Sequence, residues 1–221
     1  MPETLKTSPD GSLSAADAAK SGAAAKSCRI VAFPTESSYA LGSTGLIKAA
    51  TRRLLQIKER STLKPLAVFA ASISEAKKWV VWTPLADRLA SAFWPGAVAF
   101  LLKPTAQGRL LTFPEYPNVA IRVPSHPAVR AMLAASGAPW VWTSANKSGR
   151  PPLTDAAGVA AALGAEIDIL VDGGAVPNGE PTVVDATGDK PRIVRQGIVS
   201  AELIQEGGRD AIRRPDVQDP L

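Results

Sequence analysis

Three short segments carry the residue types that cradle small anions, and each follows an apolar run. They are Pro34-Thr35-Glu36-Ser37-Ser38-Tyr39-Ala40-Leu41-Gly42, Thr143-Ser144-Ala145-Asn146-Lys147-Ser148-Gly149, and Asp172-Gly173-Gly174 running on to Gly179-Glu180-Pro181-Thr182. Hydroxyls, amides and exposed backbone N–H groups at strand ends are where open α/β sheets place ligands, and such groups suit phosphate or carboxylate oxygens. The same residues dominate ordinary turns, so the weight comes from the cations that accompany them. Lys58-Glu59-Arg60-Ser61-Thr62-Leu63-Lys64-Pro65-Leu66 runs from a helix end into a strand, where a cation either complements the helix dipole or meets an anion. Arg122 stands inside the apolar run Val119-Ala120-Ile121-Arg122-Val123 and points to the face opposite Ile121 and Val123. Arg195, in Ile193-Val194-Arg195-Gln196-Gly197, repeats that pattern at another strand end.

The chemistry open to these residues is positioning and fixed charge. The chain has one histidine, His126, and one cysteine, Cys28. Ser-His-Asp and Cys-His catalysis and histidine-rich zinc sites need a histidine, and often several, in a constrained setting. His126 lies in Ser125-His126-Pro127, which reads as a helix start with a capping or surface role. The net charge is +5, and between Ser37 and Ser74 six cations face the lone acid Glu59, so the local excess equals that of the whole chain. The five tryptophans sit in apolar surroundings without interleaved basic residues and read as core.

The elements that must position these groups fit one domain, since 221 residues is close to the usual domain size of about 100–200. With 46% hydrophobic and 20% charged residues the chain is globular rather than disordered. The uncharged stretch Leu89–Leu102 is interrupted by Pro95 and Gly96 and falls short of the roughly 20 apolar residues that span a bilayer. No apolar leader core follows the first basic residue, and a lone cysteine excludes an intrachain disulfide, so a reducing cytoplasm is the expected compartment. Strands are expected at Arg29–Phe33, Leu66–Ala70, Ala97–Leu102, Val119–Val123, Trp140–Thr143, Ile169–Val171, Thr182–Val184 and Arg192–Arg195. Helices are expected over Ser12–Ser27 with Ser14 and Asp17 spaced as a capping box, over Lys48–Lys58, over Pro84–Phe93 capped by Thr83, over Pro127–Ala135, over Asp155–Leu163 behind Thr154, and briefly after Ser200. Interspersed strands and helices with some strand-to-strand connections predict α/β architecture, a single twisted mixed-sheet domain over residues 12–206. Residues 1–11 read as a polar, disordered start and 207–221 as a flexible charged tail.

Taken in order, these motifs resemble the YrdC-like family of threonylcarbamoyl-AMP synthases. The resemblance rests on Phe33-Pro34-Thr35-Glu36 through Tyr39 and Leu41-Gly42; Lys58-Glu59-Arg60 with Lys64-Pro65-Leu66; Trp94-Pro95-Gly96; Val119–Pro124 around Arg122; Thr143-Ser144-Ala145-Asn146 with Ser148-Gly149; and Thr182-Val183-Val184-Asp185 with Arg195-Gln196-Gly197. It implies a domain with a basic cavity in which L-threonine, bicarbonate and ATP give threonylcarbamoyl-AMP and pyrophosphate, with Mg2+ held mainly through the ATP phosphates and no protein metal ligands. It further implies that Thr35, Arg122 and Ser144 hold threonine, that Arg60, Lys64, Asn118, Asn146, Thr154 and Arg195 hold ATP, and that Lys58 and Arg60 are catalytic. A transferase complex that passes the product to tRNA is the implied partner, together with tRNA or double-stranded RNA and no membrane.

The chain departs from the family pattern at three places. Tyr39 is followed by Ala40 where glycine is common; Phe69 stands where some members have histidine; and Pro181 replaces a serine, so Thr182 is expected to take over part of the threonine contact. Two rival functions remain open on sequence: a non-catalytic YrdC-like protein that binds structured RNA, and a carbamoyl-adenylate enzyme of the hydrogenase-maturation kind.

Overall fold

Short Val-, Ile- and Phe-rich runs separated by amphipathic segments pair into one sheet with helices on both sides. The computed structural model describes residues 1–59, 66–114 and 116–207. In chain order the elements are β1 (Glu3–Lys6), α1 (Ala15–Lys26), β2 (Val31–Pro34), β3 (Tyr39–Thr44), α2 (Lys48–Ile57), β4 (Ala67–Phe69), α3 (Ile73–Trp79), α4 (Pro84–Phe93), β5 (Val98–Leu102), β6 (Val119–Arg122), α5 (Pro127–Ser136), β7 (Trp140–Ser144), α6 (Ala156–Leu163), β8 (Ile169–Asp172), β9 (Thr182–Asp185), β10 (Arg192–Arg195) and α7 (Ala201–Gly207). The sheet order is β1-β8-β2-β3-β7-β4-β6-β5-β9-β10, and parallel pairs such as β4 with β6 mix with antiparallel pairs such as β3 with β7. This is the mixed α/β sheet expected from the sequence. Among the described residues no helix is long and apolar enough to cross a membrane.

Three elements go beyond the sequence reading. Residues 1–11 were expected to be disordered, yet Glu3–Lys6 pairs in parallel with β8, Leu5 opposite Val171. The strand is an edge with one buried apolar residue, Leu5, so its order comes from backbone bonds and from Lys20, whose ammonium meets Glu3 at 2.6 Å, rather than from a hydrophobic pattern. Most of β3 falls in the segment read as a loop because it is built of small residues, and close packing requires them. A Cβ on Gly42 would lie 2.9 Å from the Phe33 ring and 3.1 Å from Trp140. The third, α3, starts at Ser72, whose hydroxyl accepts from Glu75 N at 3.1 Å; only seven residues long, it gives little periodicity to read.

Other helix starts lie where the sequence put them. Ser14 caps α1 through Asp17 N and Thr83 caps α4 through Ala86 N, while α6 is capped by Asp155 on Gly158 N rather than by Thr154. His126 occupies the cap position of α5 without a side-chain capping bond. The tail expected over 207–221 lies, apart from Gly207 at the end of α7, outside the described residues.

The period-two alternation of the strands builds two cores. Leu41, Val68, Phe100, Ile121 and Val184 pack against α2, α4 and α6 on one face. On the other, Phe33, Ala40, Phe69 and Trp140 pack against α1 and α5. Farther along that second face Ala67, Ala120, Leu101 and Val183 stay partly accessible, whereas their neighbours Val68, Ile121, Phe100 and Val184 are fully buried. Ala67 and Ala120 are register partners with methyl side chains, which leaves a shallow floor beside Trp142.

Candidate functional site

The three loop segments singled out from the sequence meet at this floor. Between β2 and β3 the Thr35 hydroxyl donates to Ser38 O at 2.7 Å and accepts from the amides of Ser37 and Ser38 at 3.2 Å each, which closes the turn. The second segment joins it through Ala145 N on Tyr39 O at 2.8 Å. The third is pinned through Gly179 N on Ser37 O at 2.8 Å, and through the Tyr39 hydroxyl, which accepts from Gly173 N at 3.0 Å and donates to Gly174 O at 2.9 Å. Burial raises the pKa of that phenol, so it stays protonated and keeps donating. Ala40 needs no glycine-like conformation, since it sits within β3 opposite Phe33.

Lys58, at the C-cap of α2, is fully buried and reaches across to the second loop. Its ammonium donates to Ser144 O at 2.8 Å and to Asn146 Oδ1, with Ser144 Oγ at 3.4 Å. Asn146 also accepts from Ser144 Oγ at 2.7 Å and donates from Nδ2 to Arg150 O. Lys58, Ser144 and Asn146, assigned separately by the resemblance, are thus one connected group. Arg60 and Lys64 lie outside the described residues. Other cations of the basic stretch have structural partners: Arg53 pairs with Asp168 at 2.7 Å, and Lys48 donates to the carbonyls of Leu110 and Thr112.

Arg122 ends β6 with no exposed surface. Its Nη1 donates to Glu36 Oε1 at 3.0 Å, and its guanidinium carbon lies 4.8 Å from the Phe69 ring and 4.7 Å from Trp142, which stack on each other at 4.4 Å. Phe69 therefore makes an apolar wall beside Arg122. Burial lowers the Arg122 pKa; Glu36 opposes that effect and Arg195 adds to it, so the two guanidiniums share a field that an anion would relieve. Among the described residues, Nε and Nη2 of Arg122 have no hydrogen-bond partner.

A cleft of about 110 Å³ opens over the Ala67 floor between Ser38, Leu66, Trp142, Ser144 and Arg195. Arg195 stands at its rim, where Nη2 donates to Pro181 O at 3.1 Å and Nη1 pairs with Glu180 at 3.3 Å. Trp142, read from sequence as core only, both packs and lines this cleft. Glu36 was overlooked as a site residue; the available signal was that it is the sole acid in the first loop segment, 34–42.

Thr182 requires correction. Its hydroxyl, expected to contact threonine, donates to Val199 O at 2.6 Å and accepts from Gly197 N at 2.9 Å and Val199 N at 3.3 Å. A hydroxyl has one proton and two lone pairs, so this one is saturated. It ties the segment after β10 to β9, and Pro181 lines the cleft instead. The Thr35 proton is likewise committed to the turn. Asn118 precedes β6 at the end opposite Arg122, and Thr154 precedes the α6 cap with its carbonyl on Val176 N at 2.8 Å; neither lines this cleft.

Residues 23–197 match the Sua5/YciO/YrdC family model, described as telomere recombination. The threonylcarbamoyl-AMP synthase of Xanthomonas euvesicatoria is 37% identical over 158 residues, which cover 70% of this chain and 84% of that protein. The enzyme of the same name from Bacillus subtilis is 37% identical over 191 residues, covering 85% of this chain and 55% of that protein. Among solved structures, Pyrococcus abyssi Sua5 complexed with L-threonine superposes with a TM-score of 0.85 at 28% identity, covering 94% of this chain and 60% of that one. Escherichia coli YciO gives a TM-score of 0.85 at 26% identity, covering 92% of this chain and all of that one.

Proposed function

The chain belongs to the Sua5/YciO/YrdC family, and from that premise we propose that it is an L-threonylcarbamoyladenylate synthase, which joins L-threonine, bicarbonate and ATP into threonylcarbamoyl-AMP and releases pyrophosphate. The observation that carries the reading is the Arg122 guanidinium, fully buried beside the cleft wall with Nε and Nη2 unpartnered among the described residues. An unmet buried donor costs about 1–3 kcal/mol. A carboxylate satisfies both nitrogens at once, because the edge of a guanidinium matches two carboxylate oxygens.

With the threonine carboxylate on Arg122, Ser144 and the aromatic wall of Trp142 and Phe69 flank the rest of the amino acid. ATP lies toward Lys58, Asn146 and the rim guanidinium of Arg195, with Arg60, Lys64, Asn118 and Thr154 as the further contacts implied by the family. In the adenylating step a carbamate oxygen forms a bond to the α-phosphorus and the bond to pyrophosphate breaks. Fixed cations that need not reorganise stabilise the charge shifting onto the leaving phosphates, and no histidine base is required. Lys58 is the catalytic cation in this scheme, held at the junction of both substrates by Ser144 and Asn146.

Magnesium would be held by the ATP phosphates and would supply charge neutralisation there. Among the described residues no group of three His, Cys, Asp or Glu side chains could hold a metal ion. No step here depends on a protein-bound ion. The product is an activated acyl donor, and a separate transferase complex that modifies tRNA is its consumer. The test is product identity: mass spectrometry of a reaction with ATP, magnesium, bicarbonate and L-threonine should show threonylcarbamoyl-AMP. Carbamoyl-AMP formed without threonine would replace this reading with the carbamoyl-adenylate one.

A further inference from the structure

Beside the cleft wall a fully buried guanidinium and a part-buried carboxylate each keep unused hydrogen-bonding capacity. Arg122 spends Nη1 on Glu36 Oε1 at 3.0 Å and, among the described residues, leaves Nε and Nη2 without partners, while the other carboxylate oxygen, Glu36 Oε2, is a buried atom that likewise has no partner among them. A buried ion pair serving only the fold must satisfy its remaining protons and lone pairs, because desolvation is otherwise uncompensated. Here both partners present unused atoms, and Ser38, two residues from Glu36, lines the cleft together with Trp142, which touches Arg122.

An α-amino acid carries the complementary pattern, a carboxylate and an ammonium on one carbon. Building on the reading that Arg122 holds the threonine carboxylate, we infer that Glu36 Oε2 accepts the α-ammonium of bound threonine, so that Glu36 and Arg122 together receive the zwitterion. Glu36 is then a catalytic residue as well, because an ammonium has no lone pair with which to attack carbon. One N–H proton passes to Glu36 Oε2, and the freed lone pair forms the N–C bond to bicarbonate. The C–OH bond breaks, and the departing hydroxide takes a second proton from nitrogen and leaves as water. The carbamate remains, and the only proton left over is on Glu36.

The alternative is that Glu36 merely orients Arg122, and calorimetric titration separates the two. The full chain and its Glu36→Gln variant are each titrated with L-threonine and with 3-hydroxybutanoate, the same molecule without its amino group. The glutamine keeps an oxygen for Arg122 Nη1 and removes the charge. The wild type should prefer threonine by about ten- to a hundredfold, the range of one hydrogen bond to a charged group. Glu36→Gln should lose threonine affinity by a similar factor and keep its affinity for 3-hydroxybutanoate. Equal loss for both ligands would make Glu36 an orienting residue only and overturn the inference. Equal affinity of the wild type for both ligands would overturn it without reliance on the variant. A wild type that binds neither ligand would instead overturn the assignment of threonine to Arg122, and the inference with it.

Discussion

The ammonium of Lys58 donates to the carbonyl oxygen of Ser144 at 2.8 Å across 86 positions of sequence, and through this bond the end of α2 is fixed to the loop that leaves β7. A fully buried lysine is expensive unless its protons are met. Ser144 and Asn146 take part in meeting them, which holds the cation against the loop that leaves β7.

Lys58→Met keeps the length of the side chain and removes its donors. The part-buried Ser144 carbonyl and the buried Asn146 amide oxygen then lose a charged partner, which should cost about 1–3 kcal/mol. For a chain of this size that is a melting temperature lower by about 2–12 °C. Turnover should fall by about a hundredfold or more, the scale of one pre-organised charge stabiliser. Thermal unfolding and pyrophosphate assays on one preparation check both; a variant that melts earlier but turns over normally would confine Lys58 to a structural role.

Arg122→Lys retains the charge and loses the fork. A lysine reaching Glu36 cannot also present two parallel donors to a carboxylate. The Michaelis constant for threonine should rise by about ten- to a hundredfold, while that for ATP changes little. Steady-state kinetics with each substrate varied in turn reads this directly, and a rise confined to ATP would move Arg122 out of the threonine site.

Thr182→Val removes the hydroxyl that holds the backbone of Gly197 and Val199. Two amides and a carbonyl lose their partner, so stability should drop by about 1–3 kcal/mol. Substrate constants should move together or not at all, because the residue acts through the segment that carries Arg195. A selective loss of threonine affinity, with unchanged melting, would return the hydroxyl to the substrate.

His126 gives the protein an acid sensitivity of known sign. Burial lowers its folded pKa, with Glu36 opposing the shift, whereas the unfolded chain titrates near the model-peptide value of 6.5. The unfolded state therefore takes up a proton first, and the stability present above that pH is lost as the pH falls toward the lower folded value. The melting temperature of the wild type should fall between about pH 7.5 and 5.5 by more than that of His126→Asn, which keeps a good residue at the helix start. Parallel curves for the two proteins would mean that His126 titrates alike in both states.

How much was legible in the sequence differs by element for physical reasons. Strands buried on both faces, such as Val98–Leu102 and Trp140–Ser144, announce themselves through apolar runs, and α1 and α4 through their caps. Arg122 could be found because it interrupts an alternation. The polar edge strand β1 and the small-residue strand β3 could not, since one is ordered by backbone pairing and the other is constrained by the rings around it. Within the site, Lys58, Ser144 and Asn146 were named separately, but only the structure shows them bonded. Thr182 was misread because a hydroxyl next to a site says nothing of what already occupies it. Glu36 was passed over because its partner is 86 residues away.

The central claim is that pyrophosphate release is coupled to threonine and bicarbonate together. The direct measurement is the initial rate of pyrophosphate formation from ATP and magnesium by the purified full chain, with L-threonine and bicarbonate each omitted in turn. The account predicts release only when both are present, in step with consumption of threonine. Release at the same rate without threonine, or with threonine in a solution stripped of bicarbonate, would contradict it.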